Sequence, residues 1–241
     1  MFYFENISSK KVMKSSVLKG LNHFFTTRES VIKTKESDFE KLVEDNRKLF
    51  ENYLGAKLIY PSQTHTSNVD VAIVGKENYP ETDGLILTNK EQAIFLNFAD
   101  CTPLIFYDGE IAAVSHAGWR GTAGMIGVKT VEKMVREFDS NLENIKCAIG
   151  PAISFCCYNV GEDVYRQLIT TVKNPENLYE IRNGEIFVDL KGINKRQLTE
   201  FGLREENIDV CPYCTVCNND LFFSYRKENA TTNRHSAVIR L

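Results

Sequence analysis

Among its 241 residues the sequence has only four histidines, one tryptophan and six prolines, and it has no run of about 18 consecutive apolar residues. The last absence excludes a membrane-spanning helix, and the start, Met1-Phe-Tyr-Phe-Glu-Asn-Ile7, has no cationic stretch leading into a long apolar one. The expectation is a cytoplasmic protein with no membrane partner. Long Lys/Arg runs are also missing and the formal net charge is -3, which argues against nucleic acid as the main partner. A local basic pocket for a single phosphate group is still compatible with that balance. No repeat and no low-complexity tract interrupts the chain. Seven cysteines, an odd number without a secretion signal, point to free thiols or metal ligands rather than a disulfide framework.

With 43% hydrophobic residues the chain has enough apolar material for a sizeable core, and alternating strand and helix patterns without a linker predict one mixed α/β domain over residues 1–241. Residues 38–54 carry apolar side chains at 42, 43, 49, 50, 53 and 54 and stop at Gly55, which is helical spacing with a C-terminal glycine. Short strands are expected at 57–60, 82–88 and 147–149. A helix is expected over 122–138, and further helices at about 161–172 and 189–201, the last closed by Gly202. The C-terminal segments 221–226 and 236–241 read as two more strands.

The middle of the chain carries the sharpest local signal. Residues 93–99, 103–107 and 111–114 read as strands, and Asp108-Gly109 is a strong two-residue hairpin turn. If Tyr107 pairs with Glu110, opposed positions sum to 217, so Cys101 faces His116. Facing residues have Cβ atoms about 5 Å apart, close enough for a thiolate and an imidazole to share a proton or a metal ion. Pro103, which has no N–H for the ladder, suggests an edge position or a bulge beside the cysteine.

His65 adds a second imidazole, in a polar segment, Pro61-Ser-Gln-Thr-His-Thr-Ser-Asn68, directly after a strand. One thiolate and two imidazoles suit zinc chemistry in which a fourth position stays open for water or substrate. Ser115-His-Ala-Gly-Trp-Arg-Gly-Thr122 leads into a helix N-terminus, where glycines at 118 and 121 and the guanidinium of Arg120 would make an anion seat. A solvated glycine turn explains the same residues. Asn46 and Arg47 border the apolar face of the first helix, where snorkelling is the plainer account. Cys211-Pro-Tyr-Cys214-Thr-Val-Cys217 has the look of a metal knuckle, a weak signal without a second paired cluster. Cys156-Cys157 would complete it only if the fold brought them there.

Taken together, Gln63-Thr-His65, Ala99-Asp-Cys-Thr-Pro103, His116-Ala-Gly-Trp-Arg-Gly121, Ile149-Gly-Pro151, Tyr158-Asn-Val-Gly161 and Phe222-Phe-Ser-Tyr-Arg226 resemble the bacterial laccase-domain family. Older descriptions call its members polyphenol oxidases or multicopper oxidoreductases. They are now described as purine nucleoside phosphorylases with adenosine deaminase and methylthioadenosine phosphorylase activity. The resemblance runs from about residue 23 to the C-terminus in the same order.

The resemblance implies a four-layer α/β/β/α sandwich with mixed sheets, similar to bacterial toxin deamidases. It also implies a Zn2+ centre on His65, Cys101 and His116, with copper binding conceivable in vitro. Arg28, Asn46, Arg47, Gln63, Arg120 and Arg226 become candidates for phosphate and ribose contacts. The implied partners are a purine nucleoside and inorganic phosphate, for a monomer or small homo-oligomer. Phosphate held by arginines would attack C1′ of adenosine, inosine or methylthioadenosine and release the base; in deamination, water would add at C6 of adenine and ammonia would leave. Asp83 and Asp100 are acids of open role, and a carboxylate or backbone group is expected to orient each histidine. Cys214-Thr215 matches the Cys-Thr that precedes Phe-Phe-Ser-Tyr-Arg in the family, which weakens the knuckle reading. Where relatives continue Thr-Arg with a glycine-rich loop, this chain has Glu-Ser-Val-Ile-Lys-Thr-Lys35 after Arg28, so a loop over the pocket is shortened. Three alternatives stand beside the main reading: a metal-independent hydrolase or deamidase with Cys101 as nucleophile and His116 as base, a peptidoglycan-precursor editing factor, and a copper polyphenol oxidase. Four histidines are too few for the copper set of the last.

Overall fold

The computed structural model describes residues 1–34 and 40–241. Two six-stranded mixed sheets form its centre. The first runs in the order β1 (Phe2–Ile7), β2 (Lys10–Ser15), β3 (Asn22–Thr26), β15 (His235–Arg240), β7 (Gln92–Phe98) and β4 (Lys57–Ile59). The second runs β14 (Ile208–Val210), β10 (Lys146–Ile149), β8 (Thr102–Tyr107), β9 (Ala112–Ala117), β6 (Gly84–Leu87) and β5 (Val69–Val71). Three pairings are parallel, β4 with β7, β5 with β6 and β10 with β14, and the others in these two sheets are antiparallel.

Burial explains the layering. Strands β7, β8, β9 and β15 are buried on both faces, as central strands covered on both sides must be. One face of each sheet meets the other sheet through Ile94, Leu96, Phe98, Ile105, Val114 and Ile239. The outer face of the first sheet is covered by α1 (Glu40–Leu54) through Phe24, Phe50, Leu54 and Phe95. That of the second sheet is covered by α3 (Ile126–Phe138) and α5 (Leu190–Phe201) through Leu104, Phe106, Val131, Met134 and Leu198. The result is the expected α/β/β/α sandwich. A satellite core joins α2 (Trp119–Ala123), α4 (Glu162–Ile169) and a small sheet of β11 (Asn159–Val160), β13 (Glu185–Val188) and β12 (Tyr179–Arg182).

The hairpin differs from its expected register. Tyr107 pairs with Ala112 and Pro103 with His116, so opposed positions sum to 219, not 217. The cause is Asp108, whose carboxylate accepts from the backbone N–H groups of Glu110 and Ile111, both at 2.8 Å, and so widens a two-residue turn to a four-residue loop. A two-residue slip keeps every side chain on its face. Cys101 therefore lies just before the strand, beside Gly118, and still on the His116 side. Pro103 is not on an edge: β8 lies between β10 and β9, and the carbonyl of Pro103 accepts from Gly150 N–H. Its missing N–H is tolerated because it stands at the strand's start, just after Asp100, where a left-handed residue (φ 85°) turns the chain.

Three other expectations change. The helix expected over 122–138 is two helices, broken at Gly124 and a left-handed Met125 (φ 57°). The strand expected at 221–226 is a series of turns: the N–H of Phe222 goes to Asn218 O, that of Ser224 to the Glu228 carboxylate and that of Arg226 to the Asp100 carboxylate. The N-terminal strands β1 to β3 had no counterpart in the sequence reading. Residues 38 and 39 of the expected first helix, and Lys35 of the altered loop, lie outside the described residues.

Candidate functional site

His116 is the buried anchor of the site. It is the penultimate residue of β9, packed against the ring of Phe98 (centroids 5.3 Å apart), and its backbone N–H donates to Asp83 O while its Nδ1 lies 2.8 Å from Asp83 Oδ1. With Nδ1 held by a carboxylate, Nε2 is the nitrogen left to face a metal, which would displace its proton. Burial alone would lower the basicity of His116, but the Cys101 sulfur and Asp83 raise its pKa to about 9.

Asp83, fully buried just ahead of β6, does more than hold His116. Its two oxygens also accept from the N–H groups of Thr64, His65 and Thr66 and from the Thr66 hydroxyl. Burial would raise its pKa, yet these donors, His116 first among them, hold the carboxyl below its ordinary value. Three successive N–H groups on one carboxylate fold the 64–66 segment around it. That lets His65 adopt a left-handed backbone (φ 63°), a conformation costing about 1 kcal/mol or more outside glycine. One acid thus orients both histidines. Gln63 fixes the same segment from the other side, its amide exchanging two hydrogen bonds with the backbone of Asn97 on β7 (2.9 and 2.8 Å).

Cys101 completes the cluster. One nitrogen from each of His65 and His116 and the sulfur of Cys101 all lie within 4.8 Å of one another. Cys101 Sγ is 3.9 Å from His65 Nε2, and the two imidazole rings sit edge to face at 4.8 Å. Burial would push the thiol up, but His116 and then His65 pull it down to about 6. Gly118 shows how tight this space is: a Cβ there would stand 3.0 Å from Cys101 Sγ and 3.2 Å from His65 Cδ2. The donor set of two imidazoles and one thiolate, the carboxylate behind His116 and this glycine-lined cradle fit a zinc-type centre with an open position.

The remaining sequence candidates divide. Arg120 is exposed at the start of α2, its guanidinium 4.1 Å from the Trp119 ring. Arg226 is exposed and holds Asn159 through both guanidinium nitrogens, while its N–H donates to Asp100. Both arginines, with Cys101 and Asp100, act electrostatically on the buried hydroxyl of Tyr158, whose pKa burial drives up. Arg28 is instead engaged in a two-pronged ion pair with Glu228 (2.9 and 3.1 Å) over the Phe223 ring. Asn46 is buried with its amide on Val31 O (2.8 Å), and Arg47 packs against Tyr60 and Phe95 beside a groove shared with Glu44 and Glu51. Neither is brought to the His65–Cys101–His116 cluster by these contacts. The N-terminal anion seat has only the five-residue α2 behind it.

Asp100 is a brace: its carboxylate accepts from Thr215 Oγ1 (2.6 Å) and Arg226 N–H (2.7 Å), and its carbonyl from Ile153 N–H. Sequence reasoning missed Arg234, a half-buried guanidinium that lies within electrostatic reach of Cys101 and Asp100. No spacing or motif marks it. The other two histidines lie elsewhere. His23 accepts from Ser15 N–H at 3.0 Å, and His235 is enclosed between Phe98 and Phe222, where burial lowers its pKa to about 3.

Fold and site together define a mixed α/β protein with a compact histidine–cysteine centre between its second sheet and a preceding loop. The chain belongs to the multi-copper polyphenol oxidoreductase laccase family, whose model matches residues 23–241. It is 33% identical over 195 residues, 75% of this chain and 69% of the relative, to "Purine nucleoside phosphorylase YlmD" of Bacillus subtilis (strain 168). It is likewise 33% identical over 191 residues to "Adenosine deaminase RL5" from an unknown prokaryotic organism, covering 73% of this chain and 72% of that one. The crystal structure of YlmD from Geobacillus stearothermophilus superposes with a TM-score of 0.88 at 27% identity, over 98% of both chains. These relatives support an enzyme of purine metabolism, and the family implies a metal. Among the described residues no helix is long and apolar enough to cross a membrane.

Proposed function

We propose that this protein is a zinc-dependent purine nucleoside phosphorylase that acts on adenosine, inosine and methylthioadenosine, with adenosine deaminase activity, and that residues 1–241 work as one catalytic unit. The observation that carries the reading is the convergence of His65, Cys101 and His116 on one point, with Asp83 behind both histidines. The names of the relatives supply the substrate class. A metal held by these three residues would supply Lewis acidity, polarising a substrate oxygen or lowering the pKa of a water.

The chain's own residues supply position and charge. Arg120 and Arg226 are exposed cations that both act on the Tyr158 hydroxyl, and they would hold phosphate against C1′ of the ribose. Arg28, Asn46, Arg47 and Gln63 would act by holding the walls, since their polar groups or faces are already engaged by Glu228, Val31, Tyr60 and Asn97. Tyr158, within electrostatic reach of Cys101, stays protonated at neutral pH and offers a neutral hydroxyl.

The test is metal analysis of protein purified without an affinity metal, coupled to chromatography of adenine, hypoxanthine and inosine after incubation with adenosine and phosphate. The expected result is phosphate-dependent base release that is lost on chelation and restored by Zn2+. One observation favours a second reading: the Cys101 sulfur and a His116 nitrogen lie within 4.8 Å, where their pairing lowers the thiol's pKa and raises the imidazole's, the direction that activates a cysteine nucleophile with its base. Activity that survives complete metal removal yet dies on alkylation of Cys101 would establish that reading and overturn the first.

A further inference from the structure

We infer that the protein carries a second metal site, a zinc tetrathiolate formed by Cys156, Cys157, Cys214 and Cys217, separate from the His65–Cys101–His116 centre. The four sulfurs come from two segments about sixty residues apart and all lie within 4.8 Å of one another, with Cys217 Sγ 3.6 Å from Cys156 Sγ and 3.5 Å from Cys157 Sγ. Four sulfurs around one zinc at about 2.3 Å stand about 3.8 Å apart, so the observed spacings are near those of an occupied site.

Packing does not account for the cluster. The two cysteines that serve as small apolar residues, Cys147 and Cys211, are fully buried in the cores, and Cys211, the third member of the knuckle seen in the sequence, stands 4.0 Å from Met13 sulfur and takes no part. Cys156 and Cys217, in contrast, are exposed. A disulfide would join only two of the four and needs sulfurs about 2.05 Å apart.

The backbone presents the thiols as metal knuckles do. Cys157 and Tyr158 N–H both turn back to Ser154 O, and Asn218 N–H turns back to Cys214 O. The N–H groups of Cys217, Ser154 and Val216 point at the Cys214 sulfur, a pattern that stabilises a thiolate ligand. The two turns are docked independently of any metal: Ala152 and Cys214 form a parallel bridge, Thr215 N–H donates to Ala152 O, and the buried Lys191 ammonium donates to the carbonyls of Cys211 and Tyr213. On binding, the ion displaces the thiol protons to solvent and no electron is transferred. Because Thr215, inside the Cys214–Cys217 turn, donates to Asp100 next to Cys101, this second site braces the first without touching it.

The test is zinc stoichiometry of the full chain expressed with Zn2+ and purified without an affinity metal. Wild type is expected to hold two equivalents, the Cys101→Ala/His116→Ala variant one, Cys156→Ser/Cys217→Ser one, and the four-fold variant none. Zinc-edge X-ray absorption of wild type checks this without any variant: a four-thiolate site and a site of two imidazoles and one thiolate together average about 2.5 sulfurs per zinc, against about one for the latter alone. One equivalent in wild type with a single sulfur per zinc would overturn the inference, as would a disulfide within the four cysteines found by mass spectrometry of the native protein. Either failure leaves the function proposed for the first centre standing, since that is read by chelation and base release.

Discussion

Two clusters of side chains able to hold a metal are joined through the hydrogen bond from Thr215 to Asp100, and they are built in different ways. The four cysteines sit on two tight turns, with backbone N–H groups aimed at the Cys214 sulfur, and the set offers as many donors as a tetrahedral ion takes. The His65–Cys101–His116 cluster has three donors from three separate places and is organised by a buried carboxylate, Asp83, rather than by backbone turns. A filled tetrahedron suits a structural ion, while three donors leave a coordination position for chemistry. The difference also predicts which cluster tolerates change: a site made by turns rebuilds around its ion, whereas one made by a shared acid depends on that acid.

The largest expected effect breaks the comparison at the end proposed to be catalytic. Cys101→Ala removes the one thiolate of the three-donor set and should lower kcat/KM for adenosine phosphorolysis by at least about 10³-fold, or about 4 kcal/mol. Cys217→Ser should reduce it by less than about 10-fold, through loosening of the Thr215–Asp100 brace alone. Steady-state kinetics of the two variants side by side decide the assignment. Equal losses would show that the two clusters are not functionally distinct.

Asp83→Asn comes next. The amide oxygen can still accept from Thr64 and Thr66, but an N–H2 in place of Oδ1 meets the His65 N–H and His116 Nδ1, and the neutral group no longer stabilises a positive or metal-bound His116. Zinc affinity of the first centre should fall by about 10- to 100-fold, measured by chelator competition, while the four-cysteine site keeps its ion.

How much of this was legible in the sequence follows from how local each cause is. Four strands of the second sheet, β6, β8, β9 and β10, were readable because their apolar runs and the Asp108-Gly109 turn are local, while the short edge strands β5 and β14 were not; the slip from 217 to 219 came from one side chain, Asp108, capping two N–H groups. His65 was readable by type and position but not by conformation, because its left-handed backbone depends on Asp83, eighteen residues away. The chain at 221–226 reads as a strand from its aromatic residues, yet its N–H groups are claimed by Glu228 and Asp100. The four-cysteine group needed contacts across about sixty residues, so the sequence offered Cys211 as readily as Cys156. Arg234 carries no signal at all until the fold places it within reach of Cys101.

The metal-free protein offers a prediction that separates the clusters by pH. Cys101, depressed to about 6 from 9.0, would alone make stability grow with pH across that interval and be lost as pH falls through 6. His116, raised to about 9 from 6.5, would alone contribute fully below 6.5 and lose its contribution as pH rises through 9. From 6.5 to 9 the two slopes oppose each other, so the thermal midpoint of the apo protein should be flat there. The proton is better followed at the sulfur. Alkylation of Cys101, located by peptide mass spectrometry, should have its midpoint near pH 6, and His116→Asn should move it upward by at least about one unit. In the four-cysteine group burial pushes Cys156 up to about 11, with Cys157 opposing and Cys217 and Cys214 adding to the rise, so it should alkylate slowly at pH 7 despite its exposure. A Cys101 that alkylates no faster than Cys156 would remove the electrostatic distinction between the two clusters.

The smallest effect probes the cradle. Gly118→Ala places a methyl group 3.0 Å from Cys101 Sγ and 3.2 Å from His65 Cδ2, both of which are side-chain atoms able to shift by a few tenths of an ångström. The backbone at 118 has φ −66° and accepts alanine without strain, so the thermal midpoint of the apo protein should hardly change. The added carbon acts on the donor geometry alone, and zinc affinity at the first centre should fall by about 3- to 10-fold, which is about 1 kcal/mol. Competition with a chromogenic chelator reads this directly. A midpoint that drops by several degrees with unchanged affinity would mean that Gly118 is required by the entry into α2, and that the space beside Cys101 and His65 has slack the metal does not need.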